Sequence, residues 1–325
     1  FLEQHERHYR LDNSYITLYG NLDVERMLTF LDEQYLVPVA AEQRKRDAAR
    51  AAAGKAALTP NPLVAQSALV VEHETHTMAT SPENACAALG FVIGNVEERT
   101  RIVATDILLD ALMGSNEAPL KRALLDAGIA DDVHGSLADS LLQPFAFLQL
   151  RGAKAGATKQ FKQIVRDTLT TMADGGLDHA LVAASLSHAE FEMREFDFHM
   201  ADGVALSMAA LGGWLYDDKL ACAYIKYEDD FAFLRGALED GYFEQLIRDV
   251  FLENNHWACV EIIPDQDNAD NAEAERIAKA QQSFGEEDYV RIADEEANLR
   301  REQETPDSPE ALATLPHLSL SDLTD

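Results

Sequence analysis

Residues 95–128 read NVEERTRIVATDILLDALMGSNEAPLKRALLDAG, and this stretch decides the fold: it specifies two helices joined by a glycine-serine turn. Asn95 is the expected cap of the first helix, with Glu97 and Glu98 set against the positive end of its dipole. Ile102, Leu109 and Leu112 then recur at helical spacing and give it a buried face. Gly114 and Ser115 interrupt the pattern, and Pro119 is tolerated in the first turn of the next helix. Leu120, Ala123, Leu124 and Ala127 line one side of that helix, and Gly128 is a suitable left-handed stop. The hairpin is structural and carries no evident chemistry.

The remaining helices and the strands extend outward from it. Ala68 to Met78 and Ala85 to Ile93 read as a strand pair around Ser81-Pro82-Glu83-Asn84, and two further strands follow near Asp131 to Ala138 and Phe145 to Arg151. Helical patterns cover Thr158 to Ala173, Leu177 to about His199, Gly203 to Tyr216 and, brokenly, Glu228 to Asn254. Trp257 to Ile263 is a closing strand. Upstream, Tyr15 to Tyr19 is β-branched and aromatic and suits a strand, and a helix from Asp23 should stop before Pro38. The alanine-rich, charged residues 38–62 read as a linker, helical or disordered.

A faint internal repeat supports this division. Phe1-Leu2-Glu3-Gln4 with Arg7 and Leu11-Asp12-Asn13 aligns with Tyr242-Phe243-Glu244-Gln245, Arg248 and Leu252-Glu253-Asn254 at a constant offset. Both copies run helix, asparagine, strand. The chain starts at Phe1, inside a helical pattern, and is expected to be a piece of a longer protein.

With 57 acidic and 27 basic residues, the net charge of −30 argues against binding a phosphate backbone, which needs clustered Lys and Arg, and favours a cationic partner. An apolar content of 47% is enough for a real core, and no run approaches the length of a membrane span. Cys86, Cys222 and Cys259 lie far apart without a Cys-x-x-Cys pair, as expected of buried thiols in a reducing compartment such as the cytoplasm.

Gly114-Ser115-Asn116-Glu117-Ala118-Pro119-Leu120, followed by Ala123-Leu124 and Gly128-Ile129, resembles the second-domain signature of presequence protease-type metallopeptidases, the insulinase-related inverted zincins. Residues 9–21, YRLDNSYITLYGN, are similar to the end of that family's catalytic domain. Asn268 to Ser283 and Glu286 to Arg301, followed by TPDSPEALATLPHLSLSDL, resemble its helical linker. The resemblance implies an α+β fold, an insulinase-type sandwich whose mostly antiparallel sheet is covered by helices. It divides the chain into 1–37, the tail of a catalytic domain; 38–62, a linker; 63–265, a non-catalytic second domain; and 266–325, a helical linker. It also implies a parent enzyme that holds zinc and degrades short unfolded peptides, some of them basic. The partners are the parent's catalytic and C-terminal domains, and the orphan strand Tyr15 to Tyr19 should pack on the second domain, pair with another chain or be mobile.

The family's His-x-x-Glu-His motif is absent, so no catalytic, cofactor-binding or metal residue is carried over and this piece is expected to bind no zinc and to be inactive. Three histidine groups are imitations. His5 and His8 have neither zincin spacing, and His73 and His76 alternate to opposite faces of a strand. His188, Glu192, Glu195 and His199 share one helical stripe, and a solvated polar face accounts for them. Two other readings remain open at this level: a stand-alone, catalytically inert insulinase-fold interaction subunit, and an autonomous hydrolase with a metal site around His188 and His199.

Overall fold

A computed structural model describes residues 1–195, 200–265 and 272–315, and the chain divides into two compact units, 1–266 and 267–325. The first unit is built on a five-stranded sheet of β1 (Val70–Met78), β2 (Cys86–Val92), β3 (Asp132–Ala138), β4 (Phe145–Arg151) and β5 (Trp257–Pro264). Their order is β1-β5-β2-β4-β3, parallel only between β1 and β5. The expected pairing of the first two strands across Ser81–Asn84 therefore does not form. The turn after β1 contains a short 3₁₀ segment, Pro82–Asn84, that swings β2 one strand further away, and β5 fills the gap, with Cys86 opposite Ile262 and Phe91 opposite Trp257.

Helix α4 (Arg99–Met113) is the central element. Ile102, Ala104, Ile107, Leu108, Leu109, Ala111, Leu112 and Met113 are all buried, so it is apolar nearly all round, as a helix packed on several sides must be. It contacts β3, α5 (Pro119–Asp126), α7 (His179–Glu195) and α9 (Glu228–Ala237). Asn95 is not its cap. The Glu98 carboxylate accepts the Asn95 backbone N–H at 2.8 Å, and this competing turn delays the helix to Arg99. Pro119 opens α5 and Gly128 follows it in a left-handed conformation (φ 60°), both as the sequence implies.

The two faces of the sheet differ. Ala87, Leu89, Phe91, Ala146, Leu148 and Leu150 alternate onto a fully buried face under the helices, with α6 (Ala157–Thr171) and α10 (Tyr242–Ile247) completing that layer. The register puts Ala88, Gly90, Phe147, Ser136 and Ala258 on the other face, where the side chains are only partly buried. A Cβ at Gly90 would meet nothing within 4 Å, whereas one at Gly135 would lie 2.9 Å from the Met113 side chain. The sheet is thus covered by helices on one side.

Residues 1–62 form α1 (Leu2–His8), α2 (Val24–Leu31) and α3 (Val37–Ala52). The helix does not stop before Pro38. A π-helical turn at Asp32–Leu36 widens the backbone, and Pro38, which has no N–H to donate, is accommodated at the start of α3. Nor is Tyr15 to Tyr19 a strand: among the described residues, 15–22 make no backbone hydrogen bond. The segment instead lies on α8 (Asp202–Trp214), with Tyr15 edge-on to Trp214 at 4.9 Å and Tyr19 against Gly203. A Cβ at Gly203 would be 2.6 Å from the Tyr19 ring, so this seat requires glycine. The segment thus packs on α8 of the same unit.

In the second unit, α11 (Ala272–Gln281), α12 (Glu286–Glu304) and α13 (Pro309–Leu312) follow one another. Asp288 accepts the Gly285 backbone N–H at 2.9 Å, and Arg291–Glu295 and Glu296–Arg300 pairs support the exposed α12.

His179, at the start of α7, contacts Glu244 of α10 at 2.6 Å and Glu239 at 3.5 Å. Hydrogen bonding to Glu244, and then the charges of Glu244 and Glu239, raise its pKa despite partial desolvation. A raised folded-state pKa stabilises the protein below the ordinary histidine pKa, and the gain disappears as pH rises through the raised value. His179→Gln is therefore expected to cost under about 1 kcal/mol at pH 5.5, with 30% of the side chain exposed, and less at pH 8.5. Urea unfolding of both proteins at the two pH values checks the sign.

Candidate functional site

Helices α4, α7 and α8 and the segment leading into α9 enclose a cavity of about 470 Å³. Most of its lining is apolar, including Val103, Met193 and Met208. Three carboxylates face it: Asp106 from α4, Asp139 from the loop after β3 and Glu192 from α7. Among the described residues one cation, Arg99, also lines it, but the Arg99 guanidinium is held by Asp230 at 3.0 Å and lies over the Tyr224 ring at 4.7 Å. The lining thus keeps a net negative charge.

Tyr224 fixes the floor. Its hydroxyl donates to the Val96 carbonyl at 2.8 Å, and burial pushes its pKa up to about 12. Asp106 is the unusual group. Its side chain reaches water through the cavity yet is walled by protein on its other sides, and this desolvation, followed by repulsion from Asp139, Asp110 and Glu192, pushes its pKa up to about 6. An apolar chamber bearing carboxylates is complementary to a long aliphatic side chain ending in a cation, which buries its stem and pairs its head.

The histidine groups fall elsewhere. His5 stacks on Tyr9 with ring centroids 4.3 Å apart, His73 pairs with Glu261 at 2.8 Å, and His76 pairs with Glu74 at 3.0 Å. His188 is largely exposed beside Glu192 at 3.8 Å, and His199 lies outside the described residues. Of the described members of that helical stripe, Glu192 alone reaches the cavity. Among the described residues no group of three or more His, Cys, Asp or Glu is placed to hold a metal ion, and the residues present do not fit the zinc of the resembled family. The expected burial of the cysteines holds for Cys259 alone; Cys86 is half-buried and Cys222 exposed. Asp106 and Asp139 escaped the sequence reading. The available signal was a charged residue set among the buried positions of α4.

Comparison with known proteins resolves the family. A model described as the peptidase M16 inactive domain matches residues 1–187, more than half of the 325-residue chain. The chain belongs to the peptidase M16 inactive-domain family. A second model, for the region associated with subfamily C of the same peptidases, matches residues 265–325 of this M16 inactive-domain chain. Protein HypA of Clostridium perfringens is 31% identical over 330 residues, covering 99% of the M16 inactive-domain chain and 33% of HypA. Presequence protease 1 of Arabidopsis thaliana is 32% identical over 225 residues, 66% of this chain and 21% of that protein. The chain thus spans about a third or less of the length of these curated relatives. Among solved structures, a protease from Helicobacter pylori superposes with a TM-score of 0.48 at 15% identity, covering 65% of this chain and 48% of that one. An M16 inactive domain from Pseudomonas fluorescens gives 0.41 at 14% identity, covering 67% and 49%. The α+β architecture, a sheet covered by helices, is that of an insulinase-related domain. Among the described residues, no helix of this M16 inactive-domain chain is long and apolar enough to cross a membrane.

Proposed function

We propose that this chain is the non-catalytic, chamber-forming part of a zinc peptidase that degrades short unfolded peptides, and that its acidic cavity receives basic residues of those peptides. The observation that supports this most directly is the convergence of Asp106, Asp139 and Glu192 on an apolar cavity whose one lining cation among the described residues, Arg99, is already paired. In this reading residues 1–37 are the end of a catalytic domain, 38–62 a linker, 63–265 the second domain and 266–325 the helical connector to a further half. The zinc and the water it activates belong to the catalytic domain of the parent, and the chain alone is inactive. The helix-free face of the sheet, open at Gly90, would supply further wall.

Titrating the purified chain with a basic amphipathic peptide and an acidic one at two salt concentrations tests the reading. The basic peptide is expected to bind more tightly and to weaken roughly threefold or more between 50 and 300 mM salt, because exposed charges are screened over about 10 Å or less in that range. A double Asp106→Asn/Glu192→Gln variant should lose most of that preference. Equal, salt-insensitive affinities for the two peptides would dispose of the acidic cavity as a peptide site.

A further inference from the structure

A second cavity, of about 300 Å³, lies between α1, α3 and the turn that follows α3. Its charge is opposite to that of the chain. Arg10, Arg46, Arg50 and Lys55 line it, against two carboxylates, Glu6 and Asp47, in a protein whose net charge is −30.

Arg10 is matched by local carboxylates and Arg50 in part, whereas among the described residues Arg46 and Lys55 are not. Arg10 donates to both oxygens of Asp47, at 3.0 and 2.9 Å, and to Asp12 at 3.0 Å, so it is itself paired and the Asp47 carboxylate is fully engaged. Arg50 donates to the Ala56 carbonyl at 2.5 Å and meets Glu3 at 3.5 Å, leaving part of its fork unused. Arg46 and Lys55 make no side-chain hydrogen bond or ion pair among the described residues, although both border the cavity. The negative end of the α3 dipole accounts for Arg50 and Lys55 near its last turn, but not for Arg46 nearly two turns from the end. A guanidinium fork beside a lysine point charge matches the oxygens of a phosphate group.

We propose that this cavity binds a polyvalent phosphate anion, held by Arg46, Arg50 and Lys55 with Arg10 behind them. The ligand's shared chemistry is a phosphate group carrying at least two negative charges, free or on a small metabolite. Bound there, it would tie the turn at 53–58 to α3 and α1, whose contacts already include the Arg7 guanidinium on the Thr59 carbonyl at 3.2 Å and the Leu11 N–H on Gln43.

Calorimetric titration of the full chain with inorganic pyrophosphate is the test, with glycerol phosphate as a second arm to separate free from esterified phosphate. One-to-one saturable binding of either probe is expected, weakened at least fivefold in an Arg46→Gln/Lys55→Gln variant. Both side chains are exposed and unpaired, so the variant should fold as the parent does, and an unchanged circular dichroism melt confirms it. An Arg44→Gln/Lys45→Gln variant, on the same helix but outside the cavity, should change the affinity less than twofold. The absence of saturable binding by both probes, or an equal loss in the two variants, would overturn the proposal.

Discussion

Phe243→Ala is expected to lower the unfolding free energy by about 3–5 kcal/mol, whereas the same truncation at the aligned residue of the other repeat copy, Leu2→Ala, should change it by less than about 0.5 kcal/mol. The two residues correspond in the repeat, each the second of its copy. Phe243 is 0% exposed within the main core, beside Leu246, Ile247 and Val250, and its removal leaves a cavity that packed neighbours fill only partly. Leu2 is 77% exposed and loses nothing comparable.

The copies nevertheless share their local chemistry. The Asn13 amide donates to the His8 carbonyl at 2.9 Å, and the Asn254 amide donates to the Val250 carbonyl at the same distance. Arg7 and Arg248 each reach back to a distant backbone carbonyl, of Thr59 and Ala173. One sequence pattern therefore turns an asparagine amide onto a helix carbonyl twice, although α1 stops at His8 while the second copy runs on as a π-helical turn to Leu252, and only the second copy has a sheet and helical layer to bury its apolar face. Urea denaturation followed by tryptophan fluorescence would measure both variants. Similar losses at the two positions would mean that α1 is buried in solution.

The contrast shows what the sequence could convey. Period-two alternation made β4 legible residue by residue, because every second side chain of FAFLQLR enters the core. Helical spacing, Pro119 and Gly128 made the α4–α5 hairpin legible for the same reason: the information is local. Strand order was not local, since β5 reaches β2 from the far end of the domain and nothing near Ser81–Asn84 encodes its insertion. Asn95 misled because two residues could satisfy the same helix start, and Glu98 formed the competing turn. Pro38 misled because a π turn absorbed it. The acidic cavity was invisible for a stronger reason. Asp106, Asp139 and Glu192 come from three separate elements, and only the packing of α7 and β3 against α4 brings them to one space.

That convergence should be measurable as a stability penalty. Asp106→Asn is expected to stabilise the protein at pH 7, and the gain should vanish in acid. The folded-state pKa of Asp106, about 6, lies above the ordinary carboxylate value of 3.8. Below about pH 3 the side chain is protonated in both folded and unfolded chains and contributes no difference. As pH rises from there, the unfolded chain gives up this proton more readily than the folded one, so stability falls until the folded group has also ionised, and above about pH 7 the penalty is constant. At about 1.36 kcal/mol per unit, the full shift corresponds to on the order of 3 kcal/mol. Because the carboxyl reaches water through the cavity, screening reduces this to about 1–2 kcal/mol. Paired urea titrations of the two proteins between pH 5.0 and 7.5 should show a gap that widens toward about pH 7 and is then level. A gap independent of pH would show that the Asp106 carboxyl is not perturbed by its surroundings. If the widening gap is accompanied by weaker binding of a basic peptide in the variant, the charge destabilises the fold and supports recognition at the same carboxyl, which a purely structural aspartate would not do.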